Sequence, residues 1–293
     1  MVKVFFWFAV FGVLCAQEAF SPQGKAYFAK PDPTGSVEKA DIALARDPRS
    51  AELLLAAARA RDAVLRFSES IPLYTRGIDD DPGDVRFLRY RGHRFISTRK
   101  FDFAVADLKK AAELAPASFD VSYHLGLAFY LRGDFNHAAR EYQRCLAMAS
   151  QPKPDFLKGM PKDWRACHAM DDDSRVAMTE WTWRALRRAG KSDEAAKLLA
   201  TITESMTVKE NQSYFKTLLL YKGAAQSATG EGGNAVPTIG YGVGLWHYLN
   251  NRKEQACREW QRAAADIENW SAFGLIAAEV EIARGLCRPV KKR

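Results

Sequence analysis

Prolines at positions 48, 82 and 116 stand 34 residues apart, twice in succession. Each closes an alanine-rich or amphipathic stretch: "ADIALARDP", "YTRGIDDDP" and "KKAAELAP". A unit this short cannot bury its apolar face alone, so a fixed period of this length demands stacked copies of one helical hairpin. With each proline at position 32, residues 51–84, 85–118 and 119–152 form three cycles. The second places Leu88, Gly92, Phe95, Ala104, Leu108 and Ala111 at positions 4, 8, 11, 20, 24 and 27. The third has Gly126, Phe129, Ala138, Tyr142 and Cys145 at positions 8, 11, 20, 24 and 27. The first is weaker, with Leu54, Ala58, Ser70, Tyr74 and Gly77 at the matching sites. Small residues at 8 and 20 let two helices approach closely, and the bulky residue at 24 fills the gap.

The pattern continues downstream. Around "LRRAGKSDEAAKLL" (186–199), Trp183, Ala195 and Leu199 fall at positions 8, 20 and 24 of a fourth cycle, with a bulky residue where a small one is expected. From Pro237 a further cycle places Gly244, Ala256, Trp260 and Ala263 at 8, 20, 24 and 27. Upstream, "SVEKADIALARDP" reads as the second helix of a unit whose first helix has degenerated. The whole resembles the tetratricopeptide repeat family, whose units want small residues at 8, 20 and 27, a large one at 24 and proline at 32. That resemblance implies an all-α fold without a sheet over about 36–286. It would be an α-solenoid of stacked antiparallel helix pairs, ending in a C-terminal capping helix drawn from Trp270 to Leu286. The organisation expected is a signal peptide (1–16), an N-terminal extension with a degenerate repeat (17–50), and three tetratricopeptide repeats (51–152). An insertion or linker (153–174) follows, and then degenerate repeats with the capping helix (175–293). "TGEGGN" (229–234) leaves little room for a second helix after "QSYFKTLLLYKG" (212–223).

Lys3 precedes an uncharged run, Val4 through Ala16, which is short for a membrane span and suits a signal-peptide core with cleavage after Ala16. Leu14 before Cys15 does not suit a lipid-attachment motif. The chain is therefore expected to be exported: periplasmic, envelope-associated or secreted, with no transmembrane segment after cleavage. Losing Lys3 lowers the net charge from +8 to +7, and the basic residues are dispersed apart from Lys291-Lys292-Arg293. No specific nucleic-acid partner is expected from such dispersion. Cys145, Cys167, Cys257 and Cys287 survive processing without a C-x-x-C, an even number that permits two disulfides in an oxidising compartment. Cys257 lies near the start of one helix and Cys287 just past the end of the antiparallel helix expected to pack on it, which favours that pair. Cys145, near the end of its helix, has Cys167 in the returning insertion as a possible partner.

Catalytic signatures are missing: no G-x-S-x-G, H-E-x-x-H or Walker sequence occurs, and nothing calls for a cofactor. Cys167-His168 with Asp171-Asp172-Asp173 has metal-ligand flavour and supports, as a lesser alternative, a metal-dependent hydrolase built around 153–174. Helix capping by the acidic residues before the Val176–Arg188 helix is the stronger reading. "GYGVG" (240–244) falls inside a helical pattern with no preceding strand, which points to close helix packing. In tetratricopeptide arrays the groove is lined by first-helix positions 2, 5, 9, 12 and 13. Carried over, these are Arg59 in the first cycle, Arg86, Arg89 and His93 in the second, and Tyr123, Leu127 and Tyr130 in the third. The fourth adds Glu180, Arg184 and Arg187, and the late cycle Tyr241, Leu245 and Tyr248. Arginine and tyrosine are enriched among binding hot spots. The expectation is a non-catalytic scaffold of the cell envelope that binds a protein or peptide partner. The alternative is an anionic polymer held by the same arginines.

Overall fold

The computed structural model describes residues 16–152 and 165–287. The expected signal peptide up to residue 15, and residues 153–164 of the expected insertion, lie outside the described residues. After Ser36 the described chain is helical. α1 (Ser36–Arg46) is the lone second helix of the degenerate unit. Three full pairs follow: α2 (Ala51–Ala63) with α3 (Phe67–Asp80), α4 (Val85–Ser97) with α5 (Phe101–Leu114), and α6 (Phe119–Arg132) with α7 (Phe135–Met148). The side chains of Ser50, Asp84 and Ser118 accept main-chain hydrogen bonds at the starts of α2, α4 and α6, so each proline-bearing turn hands over to a capped helix.

The close approach at position 8 is literal. A Cβ on Gly92 would lie 2.6 Å from Leu108, one on Gly126 2.4 Å from Tyr142, and one on Gly244 2.4 Å from Trp260. In every case the colliding residue stands at position 24 of the same unit. Gly77, at position 27, leaves room for Phe87 of the next unit in the same way, at 2.3 Å.

The second half departs from the regular stack. α8 (Asp172–Arg188) pairs with the short α9 (Ser192–Ala200), and α10 (Gln212–Lys222) is followed by no second helix before α11 (Ala235–Leu249). Lacking that spacer, α10 packs directly on both α8 and α11. Trp183, the bulky residue at a small-residue position, stacks on Tyr221 of α10 with ring centroids 3.9 Å apart. The inner sides of α6, α8 and α11 consequently meet and form the main core, where Tyr130, Trp181, Tyr241 and Trp260 are all buried. The glycines of "GYGVG" serve this meeting. Gly240 faces Ala263, Gly242 the Tyr221 hydroxyl, and Gly244 Trp260.

Two features add to the sequence reading. A two-stranded antiparallel sheet, β1 (Gln17–Phe20) with β2 (Ala26–Phe28), lies in the N-terminal extension, before the region expected to be helical. α12 (Lys253–Ala264) follows α11, and α13 (Phe273–Ala283) packs on that last pair as the expected capping helix but reaches further. It lies between α11, α12 and the inner side of α6. Its Glu279 accepts hydrogen bonds from Arg99 (2.9 and 3.1 Å) and from the Tyr27 hydroxyl of β2. Tyr27 stacks on Trp270, with centroids 5.2 Å apart, and the Trp270 indole donates to the Phe28 carbonyl at 3.0 Å. The hairpin is therefore the seat on which the C-terminal helix rests. Among the described residues no helix is long and apolar enough to cross a membrane.

Candidate functional site

The packing of α10, α11 and α13 decides which of the expected groove residues remain on an open surface. Leu127, Tyr130 and Arg184 do not: all are fully buried, and the same holds for Tyr241 and Leu245. The Tyr130 and Tyr241 hydroxyls hydrogen-bond one another. Arg184 pairs with Glu180 one turn earlier and lies over the rings of Trp181 (4.4 Å) and Tyr241 (4.7 Å). Glu180 also accepts from the hydroxyls of Tyr221 (3.0 Å) and Thr217 (3.2 Å). These residues are core because the second half of the array folds its inner face onto itself. Arg187 is half-buried with its guanidinium over Trp183, and Tyr248 is half-buried against Trp260.

The inner face of the first half remains accessible. Arg59 is exposed and its guanidinium lies 5.5 Å from the Tyr90 ring, which Arg89 covers more closely at 4.4 Å. Arg86 is tied down by Asp84 and Glu52. Beyond them opens a cavity of about 580 Å3, lined by α4, α6, α8 and the starts of α10, α11 and α13. Three expected residues, Arg89, His93 and Tyr123, stand in its wall. The rings of His93 and His124 lie 4.3 Å apart, and both contact Phe273 at the start of α13. Tyr123 hydrogen-bonds Tyr214 of α10 (3.0 Å), which also receives the Trp181 indole N–H (3.2 Å).

Asp120 organises the mouth. Its carboxylate accepts from Arg89 (3.1 Å) and from Arg165 (2.5 Å). Burial pushes this carboxyl up, but the Arg165 hydrogen bond and the charges of both arginines outweigh it and hold the group below its ordinary value. His124 donates Nδ1–H to the Asp120 carbonyl (2.6 Å). Burial foremost, then the charge of Arg89, depresses this imidazole to about 3, so it is uncharged at neutral pH. Burial followed by Arg94, His124 and Arg89 lowers His93 as well.

Arg165, Asp120, His124 and the starts of α10, α11 and α13 were not singled out from the sequence. For Asp120 a signal existed, since it occupies position 2 of the third cycle by the rule that selects Arg86. Arg165 had none, because it enters from the aperiodic insertion. It is held there by main-chain pairing with the turn before α6: Phe119 N–H donates to the Arg165 carbonyl and Cys167 N–H to that of Ala117, both at 2.8 Å. The structure joins Cys145 to Cys167 and Cys257 to Cys287, with Cα separations of 5.2 and 5.3 Å.

The disulfide removes Cys167 from any metal-ligand set. Asp171 caps α8 by accepting from Ser174 N–H (2.8 Å). Asp172 accepts from Thr207, and Asp173 from the main chain of Lys209, Glu210 and Asn211. The acidic run thus fixes the 207–211 loop that leads into α10. Among the described residues, Cys167, Asp171, Asp172 and Asp173 of the expected metal-ligand cluster are engaged in these structural contacts.

Residues 91–152 match a family model described as tetratricopeptide repeat. A tetratricopeptide repeat protein from Parabacteroides merdae ATCC 43184 is similar in structure, with a TM-score of 0.52 at 12% identity, over 82% of this chain and 91% of that one. YrrB, a TPR protein with an unusual peptide-binding site, gives 0.46 at 14% identity, over 79% of this chain and 93% of its own. MamA AMB-1 gives 0.43 at 19% identity, over 65% and 92%. A comparison with curated proteins finds no match.

Proposed function

We propose that this chain, which carries a tetratricopeptide-repeat match over residues 91–152, is an exported, non-catalytic scaffold whose concave face holds a segment of another protein. The observation that carries this reading is the cavity of about 580 Å3 left where the array closes, a volume in the range of ligand sites. Its wall combines rings that supply apolar area with guanidinium, amide and hydroxyl groups that satisfy a peptide main chain. A binding role without chemistry is supported by the state of the polar groups. Asp120, tied to two guanidiniums and lowered in pKa, is a poor general base, and Nδ1 of His124 is committed to its own helix. Capture of an anionic polymer is less favoured, because Arg86 and Arg89 already face carboxylates rather than forming an unpaired basic stripe. Export is supported by the apolar N-terminal run and by two cysteine pairs at bridging distance.

The test is site-specific photo-cross-linking in the native host. A benzophenone amino acid at Ser213, in the cavity wall, is expected to trap a discrete protein partner. The same probe at Lys109, on the outer side between α5 and α7, is expected not to trap it. Trapping from Lys109 alone rejects the concave face. N-terminal sequencing of the mature protein checks export, with Gln17 as the expected first residue.

A further inference from the structure

The hairpin that seats α13 turns one side of its sheet inward and leaves the other bare. Tyr27 points in, stacked on Trp270, and its partner Ala19 is buried. Side chains alternate along a strand, so Phe28 and Ala26 lie on the outer side, together with Phe20, which pairs with Ala26. Phe20 is 52% exposed and Phe28 49%. Two phenyl rings side by side in water are costly unless something covers them.

The charge on this stretch has one sign. From Gln17 to Pro31 the basic residues are Lys25 and Lys30, both exposed. The one carboxylate there, Glu18, is 9% exposed and accepts from the N–H and hydroxyl of Ser68. Asp266 and Glu268 precede Trp270, which lies under the inner side of the sheet. The groove beyond the hairpin tip adds no excess, because its Arg99, Arg132 and Arg284 are each paired with a carboxylate. The basic character belongs to the hairpin itself.

The uncharged apolar run Val4–Ala16 leads straight into β1, where the Ala16 carbonyl accepts from Ala29 N–H at 3.2 Å. While that run is held in a bilayer, the hairpin is the part of the folded chain joined directly to it. Cleavage after Ala16 leaves the Gln17 α-amino group at the same place and adds a third cation. A second copy is the poorer occupant. Two rings fall far short of the roughly 1,200 Å2 that a stable interface buries, and the pairing would set lysine near lysine.

We infer that the outer side of the hairpin is a membrane-contact surface that sets the mature protein on an anionic phospholipid bilayer. Phe20 and Phe28 enter the boundary between headgroups and acyl chains, and Lys25, Lys30 and the Gln17 amino group face the lipid phosphates. This surface is separate from the concave face and does not rest on what that face holds.

The experiment is flotation of the mature protein, with its disulfides formed, on vesicles of phosphatidylcholine alone or with about 30% phosphatidylglycerol. The anionic vesicles are expected to carry the protein and the neutral ones to leave it behind, with binding lost as salt rises. Phe20→Ser combined with Phe28→Ser, at two exposed positions, should weaken flotation about tenfold. Lys25→Glu with Lys30→Glu should abolish it. Ile42→Ser, at an apolar side chain 51% exposed on α1, should change nothing. Nitroxide-labelled lipid should broaden the amide signals of residues 20–28 before any others. Absence of flotation on either vesicle, or full binding by the double serine variant, overturns the surface. Equal flotation on neutral vesicles overturns the lysine contacts. Self-association without vesicles that the same serine variant removes, seen by sedimentation velocity, would assign the face to a second copy and reject the membrane.

Discussion

Gly92, Gly126 and Gly244 each stand where a side chain would collide with the bulky residue at position 24 of the same unit. Replacing Gly92 by leucine must push α4 from α5, and should lower stability by about 1–3 kcal/mol through overpacking. A urea midpoint unchanged from the parent would show the register to be wrong. His124 offers a test of a different kind. Unfolded, it takes up a proton near its ordinary value of about 6.5; folded, only near about 3. Between those values the unfolded chain binds more protons, so stability rises with pH through this window and is lost as pH falls. The loss approaches about 1.4 kcal/mol per pH unit, and the lowered His93 adds to it with the same sign. Above pH 7 neither histidine contributes a slope. His124→Gln should flatten the change in urea midpoint between pH 7 and pH 5, and an unaltered slope would remove His124 from the account. The periodic small and large residues were legible because they report contacts within one hairpin. Arg184 and Tyr130 were misread because their positions imply a groove only while the array stays open.

At the level of elements, the hairpin and α13 depend on one another. Glu279 is 2% exposed, and it is held by Arg99, Tyr27 and, through its carbonyl, the Gln23 amide at 2.8 Å. Removing its charge leaves the buried Arg99 without compensation, so Glu279→Ala should cost about 3–5 kcal/mol. Glu279→Gln, which keeps the shape, tests charge apart from packing. If the alanine variant loses less than about 1 kcal/mol by denaturant titration, the clasp is not what seats α13. The apolar length of α13 was legible, but its place was not. Nothing local in "FGLIAAEVEIA" says that it will lie against a strand some 250 residues earlier. The hairpin is only four and three residues long, and its stabilising partners are Trp270, Glu279 and the start of α3, where Ser68 N–H donates to Glu18 at 2.7 Å. Short strands stabilised mainly by distant contacts leave little local pattern.

For the whole molecule the consequence is closure. In an open solenoid each unit touches only its neighbours, so end units fray independently of the centre. Here the two ends share one small core in which Ala19, Tyr27 and Phe67 meet Trp270, Ala272 and Leu275. The second clasp of α13 lies at Glu281, fully buried between Arg188 of α8 and Arg284, which itself donates to the Leu131 carbonyl at the end of α6 (2.8 Å). The Cys257–Cys287 disulfide fastens the tail of the same unit to α12. Opening the ring must therefore release both termini at once. In native-state hydrogen exchange, residues 17–28 and 273–283 should share one opening free energy, although they are the first and last elements of the described chain. Arg99→Glu sets like charge against Glu279 and should lower protection in both segments by the same amount while leaving α5 and α7 protected. Small-angle scattering of that variant should show a larger radius of gyration, because an array freed from its clasp relaxes toward the open superhelix. Loss of protection in the hairpin alone, with α13 unaffected and the radius unchanged, would mean that the C-terminal helix is held by α11 and α12 without the N-terminus. The cavity would then persist in an open molecule, and its walls at α4 and α13 would no longer depend on closure.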